Sequence, residues 1–277
     1  MVRLGFLIAA SAALLAVPAR ADEPVYNWTG FYIGANAGGG WGKAGSNVVL
    51  DKPTHAGTAE TPMGSASGAM NGALGGVQGG YVYQTHLFVF GLESDIEAGG
   101  QNGAGASNGS ISVPQVCIAP CAPPPPLIKT GVLNDARKLP WFGTLRGRVG
   151  VTPADHWLIF ATGGLALGAV DQQQTFTLSP STAVCAGGPC APPPSGSASA
   201  SSSQVKTGWA LGGGVETAIS GGWTGRIEYL HVDFGKSGNS FASAVPYFSG
   251  TFRTNGRIAD DILRIGVDYR FGASSAN

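Results

Sequence analysis

The sequence predicts an all-β fold, an eight-stranded antiparallel up-and-down transmembrane β-barrel with long extracellular loops. Three observations lead there. Segments of about ten residues alternate between apolar and polar or charged side chains, the two-residue period of a strand with unlike faces. The connections between these segments alternate between short and long. The chain also opens with Arg3, the apolar run Leu4 to Val17 and Pro18-Ala-Arg-Ala21. A basic start, a short apolar core and a small-x-small site read as a secretory signal peptide cut after Ala21, leaving residues 22–277 as one barrel domain.

Composition agrees. Gly accounts for 45 of 277 residues, too many for helices, where each interior Gly costs about 1 kcal/mol relative to Ala. Hydrophobic residues at 43% and aromatics at 9% exclude disorder. No stretch after the leader reaches the roughly 18 apolar residues of a membrane helix. The formal charge is zero, and without Arg3 and Arg20 the chain is mildly acidic, so no nucleic-acid partner is expected.

The strands are predicted in order over 31–41, 74–83, 87–98, 141–151, 157–170, 207–219, 223–234 and 262–271. The first puts Phe31, Ile33, Ala35, Ala37 and Trp41 on one face. The second is Gly-rich and ends in Tyr81-Val-Tyr83. The third sets Phe88, Phe90, Leu92 and Ile96 opposite Glu93, Asp95 and Glu97, and the fourth sets Trp141, Leu145, Val149 and Val151 opposite Thr144, Arg146 and Arg148. The fifth is apolar on both parities, so its facing stays open. The sixth puts Trp209, Leu211, Val215, Thr217 and Ile219 opposite Glu216, and the seventh puts Ile227 and Tyr229 opposite Arg226 and Glu228. The last has Leu263, Ile265, Val267, Tyr269 and Phe271 on one parity and Arg264, Gly266, Asp268 and Arg270 on the other.

Residues 84–86, 152–156 and 220–222 read as tight turns, whereas 43–70, 99–139, 171–206 and 235–261 read as long loops rich in Gly, Ser, Ala and Pro. Loops of that length count against a compact soluble domain and suit a barrel with short turns on one side of a membrane and long loops on the other. The apolar parity is then expected to face lipid, where Arg or Lys at midplane costs roughly 2–4 kcal/mol. A lumen ion network is expected from Glu93, Asp95, Glu97, Arg146, Arg148, Glu216, Arg226, Glu228, Arg264, Asp268 and Arg270, whose signs nearly balance. Aromatics near segment ends (Trp28, Trp41, Tyr81, Tyr83, Trp141, Trp157, Trp209, Trp223, Tyr269) are assigned to interfacial girdles.

The stretches NWTGFYIGANAGGGWG (27–42), GGVQGGYVYQ (75–84), FVFGLESDIE (88–97), WFGTLRGRVG (141–150) and DDILRIGVDYRF (260–271) resemble one bacterial family, in family order. It is the small outer-membrane β-barrel proteins of the opacity-porin or outer-membrane immunogenic protein type. The resemblance spans the strands of the mature chain and not the loops. It implies a surface-exposed, antigenic barrel of the Gram-negative outer membrane, monomeric or loosely associated. It also implies that Tyr269 and Phe271 form the terminal signal read by the barrel-assembly machinery, although Gly272–Asn277 follow where the family usually stops.

Cys117, Cys121, Cys185 and Cys190 lie in two of the long loops, each pair followed by a proline run. Export favours disulfides. Local pairs Cys117–Cys121 and Cys185–Cys190 are expected from proximity, with cross-loop pairing as the rival. The spacings do not suit zinc. The Gly105-Ala-Ser107-Asn-Gly109 stretch lacks the strand–turn–helix of a nucleophile elbow, and Gly40–Gly45 lacks the helix of a dinucleotide fingerprint. His231, with Asp233 and Glu228 near it, is the one place a barrel enzyme could be built, but no Ser is placed to serve as nucleophile. The reading is therefore a structural, surface-exposed membrane barrel, without catalytic, metal or cofactor residues. Its partners are outer-membrane lipid, lipopolysaccharide and the assembly machinery; a host or envelope ligand at the loops stays open. A small-solute channel is the alternative and a lipid-modifying enzyme the third reading. Eight strands leave a lumen that side chains can fill.

Overall fold

Alternation of bulky apolar with polar residues produces eight strands, in a computed structural model that describes residues 26–51, 60–113, 127–178, 196–245 and 248–272. They are β1 (Gly30–Asp51), β2 (Thr61–Thr85), β3 (Phe88–Val113), β4 (Leu127–Ala154), β5 (Trp157–Leu178), β6 (Ser197–Ser220), β7 (Trp223–Ser243) and β8 (Gly250–Arg270). Each pairs antiparallel with its sequence neighbours, and β8 returns to β1 to close the barrel, in register from Tyr32↔Arg270 to Asp51↔Thr251. Closure leaves no edge at the membrane level, which is what lets a sheet sit in hydrocarbon.

The tight turns form as expected. Gly221 (φ +56°) and Gly222 (φ +87°) join Ser220 to Trp223. Two central residues with positive φ are the type I′ arrangement whose twist matches the flanking strands.

The long loops do not. The strands run 21 to 28 residues, and most of 43–70, 99–139, 171–206 and 235–261 is paired strand. The barrel continues well past the bilayer. In that extension one wall meets water and the lumen side is narrow, so Ser, Ala and Gly replace the bulky alternation that marks a lipid-facing strand. Two bulges also reset the pattern. At Pro140, which cannot donate to a ladder, inward-facing residues change from Phe142, Thr144 and Arg146 to Leu139, Arg137 and Asp135. At Gly235 (φ +70°) they change from Val232 and Phe234 to Ser237 and Phe241. Above Trp209↔Asp233 the β6–β7 ladder ends. From there β6 continues on β5 and β7 on β8, bridged by a bond from Asn239 Nδ2 to Ser202 Oγ of 3.0 Å.

The apolar parity faces outward. Phe31, Ile33, Leu92, Leu145, Leu211, Ile227 and Ile265 are all exposed on the barrel wall. The ambiguous β5 resolves the same way, with Trp157, Ile159, Leu165 and Leu167 outward and Leu158, Phe160, Thr162 and Val170 inward. Aromatic rings bound this band. The turn-side girdle contains Phe31 against Tyr81 (4.7 Å between ring centres) and Trp223 against Tyr269 (5.2 Å). Trp41, Trp141 and Trp209 mark the other side, with Tyr229 6.5 Å from Trp41. From Phe31 to Trp41 is ten residue steps, about 25 Å of height once strand tilt is allowed for. Trp28 is the exception to the expected girdle. It is fully buried inside the turn-side mouth, beneath Arg270, with the guanidinium 4.8 Å from its ring.

Candidate functional site

Where the lumen is crossed by the membrane band, all eleven charged residues predicted to face inward are buried. Arg146 touches Glu93 at 2.5 Å, Asp95 at 2.7 Å and Glu228. Arg226 meets Glu93 at 2.6 Å and Asp268 at 3.1 Å, and Arg148 meets Glu93 at 3.4 Å and also Glu216. Arg264 binds Asp95 at 2.7 Å, Glu228 at 2.8 Å and Glu97. Arg270 shares Glu216 at 2.7 Å and donates to the Trp28 carbonyl oxygen at 3.0 Å. Five arginines thus face six carboxylates, in one connected net. A charge taken out of water is tolerated only when it is paired and its remaining donors or lone pairs are bonded.

Neutral residues extend it, while Glu97 Oε2, Arg148 Nε and Arg270 Nε stay without a hydrogen bond among the described residues. Tyr32 donates its hydroxyl to Glu93, Asn36 bonds Gln78 (2.9 Å) and Glu97 (2.8 Å), and Gln78 donates to Asp268 (2.7 Å). Thr144, Thr162 and Thr224 bond Asp95, Arg146 and Glu216 at 2.7–2.8 Å. Of these six partners the sequence reading places only Thr144 on the charged parity and assigns none to the net, although each lies on the inward parity of its strand. Glycine makes the room. A Cβ at Gly34 would overlap the Asp268 carboxyl, one at Gly76 the Glu97 carboxyl, and one at Gly80 would come 2.9 Å from the Tyr32 hydroxyl.

The net lies between apolar layers. On the turn side Trp28, Tyr32, Val82, Val89, Leu158 and Phe160 close the mouth, and Arg148 stacks 3.8 Å above the Phe160 ring. On the other side Leu74, Leu139, Phe142, Val170, Leu230 and Ile262 form a dry layer across the lumen. Within that layer the buried Asp260 accepts from Gln101. Beyond it Ser46, Asp135, Arg137 and Gln172 form a second polar layer, with Arg137 3.0 Å from Asp135. Val48, Leu50, Met63, Phe176, Phe241, Phe248 and Phe252 then cap the extension.

Comparison with known proteins agrees with this geometry. The family described as "Outer membrane protein beta-barrel domain" matches residues 7–271. The chain belongs to that outer-membrane β-barrel family. It is 30% identical over 262 residues to the 31 kDa outer-membrane immunogenic protein of Brucella melitensis, covering 92% of this chain and 88% of the relative. It is 26% identical to the 22 kDa outer membrane protein of Rhizobium leguminosarum bv. viciae, covering 76% and 67%. Among solved barrels, OprG of Pseudomonas aeruginosa aligns at 11% identity over 90% of this chain and 100% of that one, with a TM-score of 0.45. Nothing about activity follows from likeness at that level.

In this outer-membrane barrel of a Gram-negative cell envelope, the remaining predicted residues fall as follows. His231 does not join Asp233 or Glu228. Its Nδ1 lies 2.7 Å from Asp261, which also accepts from the Tyr229 hydroxyl at 2.6 Å, while Trp209 packs 5.3 Å from the imidazole. The cluster faces outward at the outer girdle, whereas Glu228 is inside the lumen. Ser107 is buried in β3 and donates to the Met63 carbonyl at 2.5 Å. Tyr269 and Phe271 pack edge to face at 5.2 Å, and Phe271 N donates to Phe31 O at 2.8 Å across the closing seam. Cys117, Cys121, Cys185, Cys190 and the leader lie outside the described residues. Among the described residues no group of three metal-binding side chains converges.

Proposed function

We propose that the protein is a closed, non-enzymatic barrel that stiffens the outer membrane and presents its outer extension and loops at the cell surface as antigenic material. The observation that carries this is the layering of the lumen. An ion entering the barrel meets two cross-sections crowded with apolar side chains, Leu74–Phe142–Leu230–Ile262 and Leu50–Phe176–Phe252, and the one carboxyl inside the first, Asp260, is buried and already held by Gln101. Between them Arg137 is paired with Asp135, and on the turn side of the first the five lumen arginines each meet a carboxylate. Catalysis has no support at the girdle either, since the hydroxyl beside the His231–Asp261 pair is that of Tyr229, bonded to the same carboxylate. Insertion by the barrel-assembly machinery is read from Tyr269 and Phe271, and the monomer is the working form. The test is electrical. Purified protein in planar bilayers is expected to give no steady conductance, and a reproducible open level would favour a channel. Lipid A incubated with protein in detergent is expected to stay intact, and a cleavage product lost in His231→Ala would favour an enzyme.

A further inference from the structure

The arginines of the outer extension are matched among the described residues, Arg137 by Asp135 inside the lumen. Arg253 pairs with Asp51 at 3.0 Å, and Arg257 bonds Asp233 through Nε at 2.9 Å. Lys43 and Lys236 are exposed and have no acidic partner among the described residues. Register brings them into one sector. Arg257 lies opposite both Lys236 on β7 and Gly45 on β1, two residues beyond Lys43. A groove of about 710 Å³ opens on the barrel wall at this point, lined by Asn47, Ser67, Lys236, Asn255 and Arg257, with Gly45 between them offering no side chain.

Its height identifies the occupant. Trp41 lies opposite Asp261, so Lys43 is two residues and Arg257 four residues beyond the outer girdle. At about 3.3 Å per residue on tilted strands, this is roughly 5 to 10 Å past the hydrocarbon edge. Headgroups occupy that depth. Directly below, Trp41, Tyr229, Trp209 and His231 form the aromatic wall on which sugar rings and the first acyl carbons would rest.

We propose that this groove is a headgroup site for a phosphorylated glycolipid of the outer leaflet. Lys236, in the groove lining, and Lys43, outside it and two residues nearer the girdle than Gly45, bind its phosphate oxygens, and Asn47 and Asn255 bind its sugar hydroxyls. Arg257, held by Asp233, forms the far wall. The site deepens the reading of a membrane-spanning barrel with its extension outside, and rests on it.

The test uses the full chain in phosphatidylcholine liposomes, with folding checked by heat-modifiable gel mobility. Bis-phosphorylated lipid A is titrated in, and bound lipid is read by native mass spectrometry. Wild type is expected to bind, and the Lys43→Ala/Lys236→Ala double variant to bind on the order of tenfold or more weakly, the loss of charge-assisted bonds to phosphate. Lys138→Ala is the control, an exposed cation near the same height on the β4 wall with Asp171 opposite it in register, and it is expected to change nothing. Dephosphorylated lipid A is expected not to distinguish the variants, and millimolar inorganic phosphate not to displace the lipid. Equal binding by wild type and double variant overturns the site, as does an equal loss in Lys138→Ala or displacement by free phosphate. A chain that never enters the bilayer overturns the spanning reading and the site with it; insertion with unchanged binding overturns the site alone.

Discussion

Replacing Arg146 by Met removes the central cation of the lumen while keeping most of its volume. The side chain is fully buried and meets three carboxylates, Glu93, Asp95 and Glu228, as well as the hydroxyls of Thr144 and Thr162. Four arginines would then face the same six carboxylates. Breaking a buried ion pair from one side costs about 3–5 kcal/mol, because the abandoned charge stays desolvated. Here each carboxylate keeps a second cation. Glu93 keeps Arg226 at 2.6 Å, Asp95 keeps Arg264 at 2.7 Å, and Glu228 keeps Arg264 at 2.8 Å. The loss should therefore fall at the low end, about 3 kcal/mol, and not at three times that figure. Urea unfolding in liposomes, followed by tryptophan fluorescence, measures it. Adding Glu228→Gln to Arg146→Met should recover more than half of the loss, since it removes one unmatched charge. A single variant within about 1 kcal/mol of wild type would show that the lumen is wet and that the pairing described here contributes little.

Three further outcomes follow from the same structure. Ile265→Arg, outward near the middle of the lipid band, should cost roughly 2–4 kcal/mol, whereas Ile219→Arg at the turn-side rim should cost about 0–1; reversible unfolding of the two in parallel compares them. Phe252→Ala empties the centre of the outer cap, where its ring lies 4.7 Å from Phe176 and 5.2 Å from Phe241. It should lose about 3–5 kcal/mol, with hydrogen exchange accelerating along β8 beyond the girdle and staying slow within it. Phe271→Ala removes a half-exposed ring that contributes little packing, so unfolding should be unchanged while the amount assembled in the outer membrane, read by heat-modifiable mobility, falls severalfold.

Within the bilayer, sequence and structure coincide because one solvent dictates both. Lipid forces Leu263, Ile265 and Val267 to a single parity, and the desolvated lumen forces Arg264 and Asp268 to the other. The outer extension lies beyond that rule. Ser197-Ala-Ser-Ala-Ser in β6 is strand because β5 pairs with it, yet nothing in such a run distinguishes wall from loop. The bulges at Pro140 and Gly235 hid the cap as well, since they move its inward residues onto the other parity. An aromatic near a segment end suits the girdle, but Trp28 precedes β1 and turns into the mouth, where Arg270 has a face to stack on. Nearness in sequence ties His231 to Asp233. The cross-strand neighbour Asp261 is the nearer in space, a relation that only register reveals.

The bond from Arg270 to the Trp28 carbonyl spans 242 positions of the chain, and the Phe31–Phe271 link beside it is nearly as long. Nothing along the way can substitute for that meeting of first strand and last. Until it happens, two hydrogen-bonding borders, one on β1 and one on β8, stand open to any other extended segment. Assembly is thus decided at its final step, and ring closure of this kind is slow because the entropy of the whole intervening polymer is surrendered before the reward arrives. A nascent molecule on its way through the periplasm is consequently the sticky, vulnerable form, and the sealed one has little left to lose.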